Sequence, residues 1–188
     1  MTDASLPARK VVLTLFISLD GVTEEPSGWG GSYRSEDGRA FKEAELFSSG
    51  VLLLGRLTYQ EFVAYWPDMQ GTGAFADRMN GLPKLVATTT LSTPEWNAEF
   101  IVGDVPQAVK RLRAQPGQDI LIYGSSTLAQ TLMAQGLIDE YRLLLYPVVL
   151  GRGRKLFAEG AAPLALTLIS TQPLSSGVVI LTYRPTTE

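Results

Sequence analysis

Eight short runs rich in aliphatic and β-branched residues recur along this 188-residue chain, at 10–18, 51–54, 84–88, 100–102, 119–123, 140–150, 164–171 and 178–184. Several are apolar almost without interruption, the pattern of strands covered on both faces. Helical spacing separates most of the first six. Residues 38–47 place Phe41, Ala44 and Phe47 three apart, and 58–65 pair Tyr59 with Phe62 and Val63. Residues 105–113 follow an Asp104 cap with Pro106 in the first turn. Residues 126–135 align Leu128, Leu132 and Met133 before Gly136. The order predicts β-α-β-α-β, then β-α-β-α-β, then two strands with no helix between. Such alternation calls for a mainly parallel sheet between helices. Turn signals at 150–154 and 175–177 predict an antiparallel C-terminal edge.

A composition of 45% hydrophobic and 19% charged residues supplies a core large enough for one domain spanning the chain. The net charge of −3 argues against a nucleic-acid partner. No run approaches the length of a membrane span, and the polar start over 1–10 does not read as a secretory signal, so a soluble, cytoplasmic protein is expected. The sequence has no cysteine and no histidine. Thiolate nucleophiles, imidazole bases, His-containing triads and His or Cys metal ligands are therefore excluded. Chemistry must come from carboxylates, Tyr, Lys, hydroxyls, water or a cofactor, and a cofactor leads.

In open α/β sheets, ligands bind beyond the carboxyl ends of the strands, where helix N-termini present free amides. Three junctions fit a phosphate-bearing ligand. Gly55 ends an apolar run and is followed by Arg56 and Thr58; Gly124 is followed by Ser125, Ser126, Thr127 and Leu128; Thr88, Thr89 and Thr90 end a third run. Each also reads as ordinary capping or strand-end chemistry. An acidic ribose ligand is absent from the Thr-rich end, and Arg56 could supply positive charge for a 2′-phosphate.

The stretches Gly55-Arg56-Leu57-Thr58-Tyr59, Gly124-Ser125-Ser126-Thr127-Leu128, Leu137-Ile138-Asp139-Glu140-Tyr141 and Pro147-Val148-Val149-Leu150-Gly151-Arg152-Gly153, with Ser18-Leu19-Asp20-Gly21 near the start, carry a resemblance. Over roughly 11–184 the chain resembles the dihydrofolate reductase-like family, and within it the reductase domain of bacterial riboflavin biosynthesis. The resemblance implies an α/β dihydrofolate reductase-like fold with a sheet of about eight strands, NADPH as cofactor and often a homodimer. It implies that Gly55, Arg56 and Thr58 hold NADPH phosphates, and that Thr88, Thr89 and Thr90 lie along the 2′-phosphate end. Gly124, Ser125, Ser126, Thr127 and Leu128 would contact the pyrophosphate and nicotinamide side. Phe16, Ile17 and Ser18 would border nicotinamide and substrate, with Asp20 facing the substrate.

Residues 24–33 read as a Gly-rich lid in which Trp29 covers a planar substrate, with Asp20, Tyr33 or bound water as the proton source; an ordinary surface loop is the alternative. The pterin-binding carboxylate of true dihydrofolate reductases has Asp37 and Glu43 as candidates, each also an ordinary solvated charge. The zinc site of the companion deaminase has no ligands here. The expected function is NADPH-dependent reduction of a small planar or heterocyclic substrate, with no metal. The alternative is a non-catalytic nucleotide-binding or dimeric structural module, the dimer face being the aromatic-bearing run 141–150.

Overall fold

The computed structural model describes residues 8–186, so most of the N-terminal stretch read as lacking a signal lies outside the described residues. Eight strands form one sheet: β1 (Val11–Ser18), β2 (Ser49–Gly55), β3 (Lys84–Ala87), β4 (Ala98–Ile101), β5 (Asp119–Tyr123), β6 (Glu140–Tyr146), β7 (Leu166–Pro173) and β8 (Val179–Pro185). Their spatial order is β4-β3-β2-β5-β1-β6-β8-β7. Pairings from β4 through β6 are parallel, and β6–β8 and β8–β7 are antiparallel. The expected mainly parallel sheet with an antiparallel C-terminal edge is therefore present.

Helices α1 (Pro26–Trp29), α2 (Glu36–Phe47), α3 (Arg56–Val63), α4 (Ala74–Gly81), α5 (Val105–Arg113) and α6 (Ser126–Met133) cover the sheet. One face packs Val11, Leu13, Leu15 and Ile17 against α5 and α6 through Val109, Ala129 and Leu132. The other packs Val12, Leu52 and Leu54 against Leu46 of α2, Tyr59 of α3 and Met79 of α4. The uninterrupted Leu52, Leu53 and Leu54, all fully buried, use both faces. Burial of that kind stabilises by about 1.5–3 kcal/mol per side chain. Among the described residues, no helix is long and apolar enough to cross a membrane.

Three expectations are corrected. Helix α4 was not read from the sequence. The buried face of α2 is not the Phe41, Ala44, Phe47 stripe: Phe47 is 43% exposed, and Glu45 and Leu46 are the buried residues. Finally, of the run offered as a dimer face, residues 141–146 belong to an interior strand, and only the stretch after it carries an exposed apolar side chain, Val149. Lying between β1 and β8, β6 leaves Tyr141 and Tyr146 only 1% and 6% exposed. The exposed apolar side chains at this edge are instead Leu168 and Ile169 of β7.

In β3, Lys84 is buried, donates to the Asn80 carbonyl at 2.7 Å and lies 3.9 Å from the Trp96 ring centroid. Burial pushes its ammonium down to about 8. The unfolded chain therefore holds this proton to higher pH than the folded one, so stability should rise between pH about 8 and 10.4. Urea denaturation at pH 7.5 and 10.5 should show the wild type gaining about 2–3 kcal/mol more than Lys84→Met. Equal gains in the two proteins would contradict this assignment.

Candidate active site

The predicted junctions occupy consecutive strand ends. Gly55 of β2 is in register with Ala87 of β3, Leu53 of β2 pairs Ile122 of β5, and Tyr123 of β5 pairs Thr14 of β1. Strands lie about 4.8 Å apart, so the ends from β3 to β1 span roughly 14 Å. The connection leaving β1 leads to β2 on one side and that leaving β5 leads to β6 on the other, the arrangement that opens a crevice at strand ends.

The central corner joins two helix N-termini. The Gly55 amide donates to Ser125 Oγ at 2.7 Å, and Thr58 Oγ1 shares a 2.9 Å hydrogen bond with the same hydroxyl. The approach requires glycine, because a Cβ on Gly55 would stand 2.6 Å from Ser125 Oγ. Gly124 has φ +61 and would bring a Cβ within 3.2 Å of Thr58 Oγ1. Ser125, at the head of α6, is itself left-handed with φ 62. Its hydroxyl thus occupies the place where the first amide of α3 and the Thr58 hydroxyl would greet an anion. Arg56 extends from the same corner, where its guanidinium donates to Gln60 of its own helix at 2.8 Å.

Flanking residues divide into those available to a ligand and those already engaged. Thr89 and Thr90 are exposed past β3, whereas buried Thr88 accepts the amides of Thr90 and Leu91 and closes its own turn. Ser126 shares a 2.5 Å hydrogen bond with Thr23, tying the loop after β1 to α6. Thr127 is exposed and accepts from Arg154 Nη1 at 2.8 Å, a cation at the α6 N-terminus that the sequence reading passed over. The Ile17 and Leu128 side chains belong to the buried core, so what these two residues present at the strand and helix ends is backbone.

Asp20 and Tyr33 do not form a pair. The Asp20 carboxylate accepts from Ser18 Oγ at 2.7 Å and from the Leu150 and Gly151 amides at 3.1 and 2.8 Å. These hydrogen bonds, Ser18 first, hold its pKa down to about 2, so it clamps the turn after β6 and carries no proton at neutral pH. Ser18 is fully buried and turns its own hydroxyl on Asp20 and the Val22 amide. Tyr33 and Trp29 stand edge-on to Tyr146 with centroids 5.6 and 5.2 Å away, and Phe16 leans on the same ring at 5.2 Å. The loop is thereby anchored to the end of β6, beside the end of β1 with which Tyr146 is in register with Ser18.

Sequence reading missed a charge cluster under this crevice. Thr14, Tyr123 and Arg142 lie in one cross-strand row, and α2 lowers Lys42 and Glu45 onto it. Lys42 Nζ donates to Glu45 Oε2 at 2.5 Å and Thr14 Oγ1 at 3.2 Å, and sits 4.0 Å from the Tyr123 ring centroid. Arg142 bridges Glu45 at 3.3 Å and Glu140 at 2.7 Å, and Arg184 completes the chain on Glu140 at 2.8 Å. Burial would raise the Glu140 carboxyl, but hydrogen bonds from Arg184 and Arg142 outweigh it and hold it low. The buried acid of α2 is thus Glu45. Neither earlier candidate fills that place: Asp37 caps the 175 turn by accepting from the Ser175 amide at 2.7 Å, and Glu43 is only half-buried. The signal lay in the spacing of Lys42, Glu45 and Leu46, with two charges on the stripe that carries the buried leucine.

The comparisons with known proteins agree with this architecture. The uncharacterized protein YyaP of Bacillus subtilis (strain 168) is 30% identical over 183 residues, 96% of this chain and 97% of that protein. A second uncharacterized protein of that organism, YwjB, is 27% identical over 173 residues, 90% of this chain and 95% of that protein. Among solved structures, a candidate riboflavin biosynthesis protein from Shewanella sp. PV-4 superposes with a TM-score of 0.76 at 20% identity, covering 95% of this chain and 99% of that one. Acinetobacter baumannii RibD gives 0.67 at 18% identity, with 96% of this chain matching 59% of the longer protein. Residues 9–180 match the RibD C-terminal domain, and the chain belongs to that family of reductase domains.

Proposed function

We propose that this protein is an NADPH-dependent reductase that delivers hydride to a small planar or heterocyclic substrate. The supporting observation is the succession of four strand ends, β3, β2, β5 and β1, which set hydroxyls, the Arg56 guanidinium and two helix N-termini along one lane. The donor set fits a doubly phosphorylated dinucleotide. Exposed Thr89 and Thr90 with Arg56 suit the 2′-phosphate end. The Gly55 amide, Thr58, Ser125 and the first turn of α6 with Thr127 suit the pyrophosphate, once the Ser125 hydroxyl yields its place or bridges to it. Phe16 and the backbone of Ile17 border the nicotinamide end.

When bound, the cofactor supplies the hydride. The chain's own part is orientation and exclusion of water. Asp20 fixes the turn at 150–151 against the end of β1, and the Thr23–Ser126 bond holds the following loop on α6. Trp29 and Tyr33 pin that loop to Tyr146, which keeps an apolar wall beside the substrate position.

Titration with NADPH, followed by tryptophan fluorescence, should saturate. Arg56→Ala should weaken NADPH about ten- to hundredfold, the loss of a charge-assisted contact, and NADH less. Absence of saturable binding at millimolar NADPH in the wild type would remove the reductase reading. A non-catalytic module would bind NADPH without oxidising it against pterins, pyrimidines and quinones. A second copy of the chain is the proposed macromolecular partner, through the exposed Leu168 and Ile169 of edge strand β7. Sedimentation at micromolar concentration should give a dimer that Ile169→Lys dissociates; a wild-type monomer would contradict it.

A further inference from the structure

Reduction of a C=N or C=O bond needs a proton on the heteroatom as well as hydride on carbon. Of the donors expected from sequence, Asp20 is a carboxylate locked by three hydrogen bonds, Tyr33 stands with its ring edge-on to Tyr146, and bound water is the third. Beside the ends of β1 and β5, the group that carries a proton is Lys42. Its side chain is 19% exposed, and its ammonium is held by Glu45 and Thr14 over the Tyr123 ring. Tyr123 is 6% exposed, and among the described residues its hydroxyl has no partner in good hydrogen-bond geometry, although the Glu45 carboxylate lies close enough to act on it. Buried polar groups are almost always paired, so an orphan next to a crevice points to a partner brought by a ligand.

We propose that Lys42 is the proton donor of this reductase, with Glu45 and Thr14 as positioning residues and Tyr123 as a second donor to the same substrate. The proposal rests on the reductase reading above. Two adjacent donors select a substrate that presents acceptors, a ring nitrogen of a C=N bond or a ring carbonyl. The reduced dinucleotide supplies hydride to the substrate carbon. The π pair of the double bond becomes the bond between the heteroatom and the proton leaving Lys42 Nζ. The neutral amine then regains its proton from water.

The groups facing Lys42 are Glu45 on its own helix, Arg142 on β6 with Glu140 behind it, and Tyr123 on β5. Burial lowers the Lys42 ammonium from its ordinary value, with Glu45 opposing, which moves it toward the range in which a general acid works. Burial pushes the Tyr123 phenol well up, so it remains a neutral donor.

The test compares wild type, Lys42→Met and Lys42→Arg, using 7,8-dihydrobiopterin, a planar heterocycle with a C=N bond, as the probe. In lysine-selective nitrogen NMR, Lys42 Nζ should titrate below the surface lysines, and its signal should move when the probe is added to NADPH-loaded protein. Both variants should bind NADPH within threefold of wild type. Probe-dependent NADPH oxidation should fall about 10²–10⁴-fold in Lys42→Met and lose its alkaline limb. Lys42→Arg should not rescue it, because a guanidinium keeps its proton. Turnover in Lys42→Met within tenfold of wild type and with an unchanged pH profile would overturn the proposal. If wild type binds NADPH but leaves the probe unreduced, an unmoved Lys42 signal at saturating probe overturns it and a moved one supports it. Failure of wild type to bind NADPH would instead overturn the reductase reading itself.

Discussion

Replacing Glu45 with leucine should cost the fold about 3–5 kcal/mol. Its side chain is 1% exposed and neutralises two cations at once, Lys42 at 2.5 Å and Arg142 at 3.3 Å. Leucine would fill the volume but leave Lys42 without its carboxylate and Arg142 with Glu140 alone, in a layer where both side chains are only 19% exposed. Glu45→Gln retains an oxygen acceptor and should lose less. Because the pairs are shielded, added salt should change the wild-type value little. Urea midpoints at neutral pH with unchanged m-values would measure the loss. A cost below about 1 kcal/mol, the range of surface ion pairs, would show that the cluster is effectively solvated.

Gly55→Ala should lower stability by about 1–3 kcal/mol through overpacking and cut NADPH affinity at least tenfold. The backbone is not the cause, since φ −84 and ψ 163 suit any residue. The cause is the new Cβ, 2.6 Å from Ser125 Oγ and 2.9 Å from Ser125 Cβ. Ser125→Gly removes both contacts and relieves a left-handed serine, so the double variant Gly55→Ala/Ser125→Gly should recover most of the lost stability. The cycle should therefore show a coupling of about 1 kcal/mol or more. Additive effects would mean that the two strand ends do not meet as described.

The sheet was legible because its inner strands are covered on both sides and so read as unbroken apolar runs. The same property hid the faces. In β1 nothing distinguishes Ile17, which faces α6, from Phe16, which faces the aromatic group around Tyr146, until the helices are in place. Helix α4 escaped because its inward residues Ala76 and Met79 sit among Asp77, Arg78 and Asn80, between glycines at 73 and 81. The phosphate-type corners were visible from glycines followed by hydroxyls at strand ends. That they are neighbours was not, since β2 and β5 are separated by two strands and three helices in the chain. The Lys42–Glu45–Arg142 cluster was least legible. A charged pair on a helix ordinarily faces water, and only the arrival of Arg142 from β6, 97 residues from Glu45, makes this one an interior feature.

Binding of one dinucleotide across four consecutive strand ends can be followed in the backbone amide resonances during an NADPH titration. Thr89 and Thr90, residues 55–58, residues 124–128 and residues 16–18 should shift together and saturate with one dissociation constant. Shifts confined to other regions, or corners that respond with different constants, would contradict it.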